Sequence, residues 1–130
     1  MMPSKHFPKQ TPCINIVSGR QTIPLLLSDI VSVVNDAHYL DICTKDGKHL
    51  RSRMTAENFL RLTGHDPRFL SVNRGILVNA DYIHALTKKA CILTDGTSFP
   101  VRVRDSQKLE NALRQYHFSW LRSEHHHRHT

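Results

Sequence analysis

Two Asp-Gly pairs, Asp46-Gly47 and Asp95-Gly96, each lie between strand-like runs, and this arrangement constrains the fold more than any other feature of the chain. An Asp-Gly pair tolerates the positive φ of a two-residue hairpin turn, whose twist matches that of the strands it joins. Before the first pair stand Ile30-Val31-Ser32-Val33-Val34 and Tyr39-Leu40-Asp41-Ile42-Cys43-Thr44. After it, His49, Arg51 and Arg53 fall on one strand face, and Leu50, Ser52 and Met54 on the other. After the second pair, Phe99, Val101 and Val103 face one way, while Pro100, Arg102 and Arg104 face the other. Shorter strand-like runs over 13–17 and 21–27 flank a Ser18-Gly19 turn; another covers 69–72, and two more surround Lys88-Lys89. Cys43 and Cys91 sit inside apolar strand runs, which predicts buried thiols.

Helical spacing occurs twice. Residues 55–63 form a short segment with Thr55 as N-cap, Phe59 and Leu62 three apart, and Gly64 as the stop. Residues 105–122 form a longer one, with Leu109, Ala112, Leu113, Tyr116 and Trp120 along one face. The expected architecture is therefore mostly β: an elongated arrangement of small antiparallel sheets with one short helix and a C-terminal helix. A polar arm carrying Pro3, Pro8 and Pro12 is expected over 1–12, the domain over 13–122, and a His-rich tail over 123–130.

Composition narrows the function classes. The chain has 130 residues and carries 18 Lys and Arg against 11 Asp and Glu, a surplus that favours a polyanionic partner. The densest apolar run, Ile23-Pro24-Leu25-Leu26-Leu27, falls far short of the ~20 residues that span a bilayer. With no signal-peptide pattern and three widely spaced cysteines, the expected location is cytoplasmic, without membrane insertion. The sequence contains no phosphate-binding glycine loop, no His-Glu-x-x-His, no Cys-x-x-Cys and no Gly-x-Ser-x-Gly, so neither an enzyme nor a cofactor is expected. The imidazoles of the tail, His125 to His129, are of ligand type, but a solvated tail lacks the supporting hydrogen bonds of a metal site, and none is expected there.

The stretch Phe69-Leu70-Ser71-Val72-Asn73-Arg74-Gly75-Ile76-Leu77-Val78-Asn79 places an arginine at a turn between two apolar segments. A side chain on so rigid a base loses less freedom on binding. Arg102 and Arg104 leave a strand end in the same manner, and His38 marks a loop between two strands, flanked by Asp36 and Tyr39.

Phe69 to Asn79, the following Tyr82-Ile83, and Thr94-Asp95-Gly96-Thr97-Ser98-Phe99-Pro100-Val101-Arg102 resemble, in order, the core signature of the LytTR DNA-binding domains. Leu27 to Val33 and Asp46 to Thr55 fit the same pattern, so the resemblance spans roughly residues 15–115. It implies a bacterial transcription regulator that binds double-stranded DNA at paired direct repeats in promoters and inserts loops into successive major grooves. By motif, the base-contacting positions of the family fall on His38, Arg74 and Arg104, and phosphate contacts on Arg53, Asn73 and Arg102, with Lys45 and Arg51 as further backbone contacts. A homodimer on DNA and a regulatory protein partner are also expected. The chain departs from the family pattern where His-Arg-Ser is common, carrying Asn73-Arg74-Gly75, and where serine is common, carrying Arg102. The loss of the serine hydroxyl is expected to remove one hydrogen bond, and Arg102 to add charge. At this length no fused receiver domain is expected. The competing readings are an RNA or single-strand binder, which would stack bases on exposed sheet aromatics, and a protein-interaction module.

Overall fold

The computed structural model describes residues 12–128, with side chains as far as Ser119. The arm expected over 1–12 lies outside the described residues except for Pro12. Strands β1 (Cys13–Ser18) and β2 (Gln21–Leu26) form a hairpin. After a 3-10 turn at Leu27–Asp29 come β3 (Ile30–Asp36), β4 (Tyr39–Thr44) and β5 (His49–Ser52), then helix α1 (Ala56–Leu62). Strands β6 (Phe69–Asn73) and β7 (Ile76–Asn79) follow, and a 3-10 turn at Ala80–Tyr82 leads to β8 (Ile83–Leu86), β9 (Ala90–Leu93) and β10 (Ser98–Pro100). A last 3-10 turn, Val103–Asp105, opens helix α2 (Ser106–Arg128). The strands build three antiparallel sheets: the β1-β2 hairpin, a central sheet in the order β5-β4-β3-β7-β6, and a small sheet in the order β10-β9-β8. The mostly β architecture with two helices is thus the one the turn spacing predicts.

The central sheet buries both faces. Ile30, Val33, Leu40, Ile42, Phe69 and Leu77 meet Ile14 and Ile16 of the hairpin and Phe59 of α1 on one side. Val31, Leu70, Val72 and Val78 meet Cys91, Leu93, Val101 and Leu109 on the other. Strand β3 shows how one chain serves two cores. Ile30 and Val33 could not share a face in a regular strand, because side chains alternate. The register of β3 against β4 shifts between Ile30 and Ser32, and that bulge resets the alternation. Four successive residues, Ile30 to Val33, are buried as a result.

Buried polarity in this sheet is satisfied. The side chain of Asn79 is fully buried; its Nδ2 donates to the Ile30 carbonyl at 2.8 Å, and its Oδ1 accepts from the Asp81 amide at 2.9 Å. Thr55 caps α1 by accepting from the Asn58 amide at 3.0 Å, and Gly64, at φ +70°, ends the following turn. Cys91 is buried among apolar neighbours, and burial pushes its thiol up to about 11.

Four local expectations are corrected. Leu62 is 46% exposed and Leu60 packs inward in its place, because the buried face of α1 runs through Ala56, Phe59 and Leu60. Val103 is 59% exposed, since the chain leaves β10 at Pro100 and curls into a 3-10 turn, ending the alternation. Cys43 is only half-buried, because nothing covers β4 as fully as the small sheet covers β6 and β7. Helix α2 continues past Arg122 to Arg128, which makes residues 123–128 helical; residues 129–130 and the side chains from Trp120 onward lie outside the described residues.

Replacing Asn79 by alanine strands the Ile30 carbonyl in the core. The expected loss is about 1–3 kcal/mol, read as a lower urea midpoint at unchanged slope.

Candidate nucleic-acid interface

Three connections emerge beside one another from this frame. The β3–β4 turn is made by Ala37, at φ +57°, and His38. The β6–β7 turn is made by Arg74 and Gly75. The third connection runs from β10 into α2 and carries Arg102 and Arg104.

Hydrogen bonds lock them together. The Asn35 amide, at the end of β3, donates to the Gly75 carbonyl at 2.7 Å. Asn73 holds the other junction: its Nδ2 donates to the Pro100 carbonyl at 2.7 Å, while its Oδ1 accepts from the Gly75 amide at 3.2 Å. The Val101 amide donates to the Lys89 carbonyl at 2.8 Å, fixing the start of the third connection against the β8–β9 turn. A Cβ at position 75 would lie 3.5 Å from the Asn35 Cβ, an ordinary contact, so a serine in place of Gly75 fits this backbone.

Two clefts flank Arg74. One, of about 380 Å³, is lined by His38, Arg53 and Arg74 with Asn35, Thr55 and Asn58. The other, of about 570 Å³, is lined by Arg74, Arg102, Arg104 and Lys108 around Leu70, Val72, Leu109 and Ala112. Arg102 reaches Asp105 at 3.9 Å. Among the described residues, Arg53, Arg74, Arg104 and Lys108 form no ion pair. Six of the residues marked in the sequence therefore gather here: His38, Arg53, Asn73, Arg74, Arg102 and Arg104.

Lys45 and Arg51 line neither cleft. Lys45 pairs with Asp29 at 3.2 Å, and that hydrogen bond, followed by the charge of Asp29, raises its pKa. Arg51 lies 3.6 Å from Asp36 and stacks over the Tyr39 ring at 4.4 Å, in a separate recess with Asp41 and His49. His49 Nδ1 is 2.9 Å from Asp41. Among the described residues there is no cluster of three metal-ligating side chains, and no helix is long and apolar enough to cross a membrane.

The model of the LytTr DNA-binding domain family matches residues 20–114. The chain belongs to this family. A comparison with curated proteins gives no match. Among solved structures, a LytTr DNA-binding domain from Bacillus cereus superposes with a TM-score of 0.65 at 15% identity, covering 78% of this chain and 96% of that one. At that identity the likeness establishes the fold, which the two chains share.

Two features of this LytTr domain escape a reading of the sequence. Lys108 joins the cationic rim because the first turn of α2, which starts at Ser106, lines the same cleft as Arg74 and Arg104; the helix start is legible in the sequence, but the packing of that turn beside β6 is not. Asn73, marked as a phosphate contact, uses its amide inside the protein, where it joins the Arg74 turn to the Arg102–Arg104 segment. Asn73→Ala is expected to speed hydrogen exchange at the Gly75 amide roughly three- to tenfold, the worth of one hydrogen bond, while Val78 in β7 keeps its protection. Amide exchange followed by NMR decides this.

Proposed function

We propose that this LytTr domain binds double-stranded DNA sequence-specifically, as a transcription regulator, with its three joined connections entering the grooves. The observation that carries the reading is the pairing of rigidity with free charge: Arg74 and Arg104 stand without ion-pair partners on turns tied together by Asn35, Asn73 and Gly75. Ordering a free loop residue costs roughly 1–2 kcal/mol, and that cost is largely met here by folding. A planar guanidinium held in this way suits the O6 and N7 pair of guanine in the major groove. His38, on the neighbouring turn, supplies a donor or acceptor to a base edge, and Arg53, Arg102 and Lys108 lie where phosphates pass.

The cations of the second set act differently. Arg102 already has Asp105 beside it, and Lys45 and Arg51 are each engaged by a carboxylate. Lys45 and Arg51 contribute to the general positive field rather than to a defined contact, while Arg102, held only loosely at 3.9 Å, keeps a weakened phosphate contact. Two copies on direct repeats would place two such interfaces along one duplex, in keeping with a homodimer formed on DNA. A base-stacking RNA module is disfavoured because Phe59 and Phe69 are buried, in edge-on contact at 5.2 Å, and offer no platform.

The test is selection of bound duplexes from a random library, followed by variants measured on the selected site and on single-base changes of it. Arg74→Ala and Arg104→Ala are each expected to cost ~1–3 kcal/mol on the selected site and to relax preference at one or two base pairs. Arg53→Ala, Arg102→Ala and Lys108→Ala are expected to weaken all duplexes alike, because a phosphate carries no sequence information. With about 4–6 phosphates neutralised, log K should fall against log salt with a slope of about −4 to −5. A flat salt response, or unchanged base preference in both arginine variants, would rule out this mode of binding.

A further inference from the structure

The larger cleft has a property that contact with a DNA backbone does not use. Its rim is cationic, with Arg74, Arg104 and Lys108 unpaired among the described residues and Arg102 beside Asp105. Its floor has an apolar part: the small exposed portions of the core residues Leu70, Val72 and Leu109 line the recess, and Ala112 extends it along α2, with Ser71 and Asn73 beside them. At about 570 Å³ the cleft is within the size range of small-ligand sites. A phosphodiester satisfies the rim and makes no use of the floor. A molecule with one acidic head and a compact hydrocarbon body satisfies both.

We infer that this cleft binds small amphiphilic anions, with an aryl or short-alkyl body on Leu70, Val72, Leu109 and Ala112 and a carboxylate or equivalent head between Arg74, Arg104 and Lys108. The acid is preferred to a neutral analogue because unpaired cations on the rim gain a charge-assisted hydrogen bond. The body is required because the head alone meets cations that water solvates well. Because Arg74 and Arg104 also belong to the proposed DNA interface, an occupied cleft and a bound duplex exclude one another. Binding in the cleft stands by itself; only this exclusion rests on the DNA reading.

The probe is 2-naphthoate, compared with 2-naphthamide and with inorganic phosphate, followed by amide shifts in NMR. The expected result is saturable movement of the Leu70, Val72 and Ala112 amides by naphthoate, with a Kd of about 1 mM or below, as the size of the ligand implies. The amide analogue should bind at least tenfold more weakly, and phosphate should leave the floor amides in place. Lys108→Ala, an exposed position, should weaken naphthoate several-fold, and Ala112→Phe should block it by filling the floor. Equal binding of 2-naphthamide, movement of the floor by phosphate, or no saturable shift from naphthoate would each overturn the inference. Displacement of the selected duplex by naphthoate supports both readings. Saturation of the cleft without displacement supports the cleft as a site and overturns the placement of Arg74 and Arg104 on DNA. A protein that takes naphthoate and binds no duplex leaves the cleft established and ends the DNA reading alone.

Discussion

The burial of the central sheet on both faces is the constraint from which the rest of the structure follows. A single-sided sheet of this size would leave Val31, Leu70, Val72 and Val78 facing water; here they form a second core with β9, Val101 and the first turn of α2. Each such side chain contributes about 1.5–3 kcal/mol by leaving water, which is large beside the net stability of a small domain. The arrangement demands that β3 supply residues to both faces within four positions, and the bulge between Ile30 and Ser32 makes that geometrically attainable. It also traps backbone near the bulge, and the Asn79 amide answers that need by donating to the Ile30 carbonyl. Two-sided burial, the bulge and the buried asparagine are one solution to one packing problem.

The rigidity of the interface descends from the same frame. His38 and Arg74 sit on turns whose flanking strands, β3, β4, β6 and β7, are neighbours in that sheet, so neither turn can move without disturbing a strand buried on both faces. Val101, which is buried, pins the third connection just before Arg102. Asn73 and Asn35 then add lateral bonds between connections that are distant in sequence and adjacent in space. Spacing between the side chains is therefore set by the core, as suits recognition of a ligand with a fixed repeat.

How much of this was legible in the sequence follows from the range of each determinant. Turns are local, so Asp46-Gly47, Asp95-Gly96 and Asn73-Arg74-Gly75 announced themselves, and with them the positions of Arg74, Arg102 and Arg104. The N-cap at Thr55 was equally local. Val103 departs from its strand pattern because periodicity assumes that an element continues, whereas β10 ends after three residues; Leu62 departs because its spacing of three from Phe59 does not fix which side of Phe59 the buried face of α1 takes. Lys45 and Arg51 illustrate a different limit. Their charge was plain, but their neighbours Asp29, Asp36 and Tyr39 become partners only when strands pair or a turn folds back. The same holds for Asn73, whose acceptor lies 27 positions away.

That difference between paired and unpaired cations bears on how such a surface balances affinity against discrimination. A cation already facing a carboxylate gains less from a phosphate, because the carboxylate must be resolvated or held beside a second anion. Lys45 and Arg51 are held in this way, and Arg102 more loosely, at 3.9 Å. Asp105 lines the same cleft as Arg104 and Lys108 but sits beside Arg102, so its charge offsets mainly that of Arg102 and leaves Arg104 and Lys108 available to an anion. A chain of net charge +7 attracts any nucleic acid. Damping Lys45, Arg51 and Arg102, while leaving Arg74 and Arg104 undamped, shifts the balance of interactions toward the two residues proposed to distinguish one base pair from another.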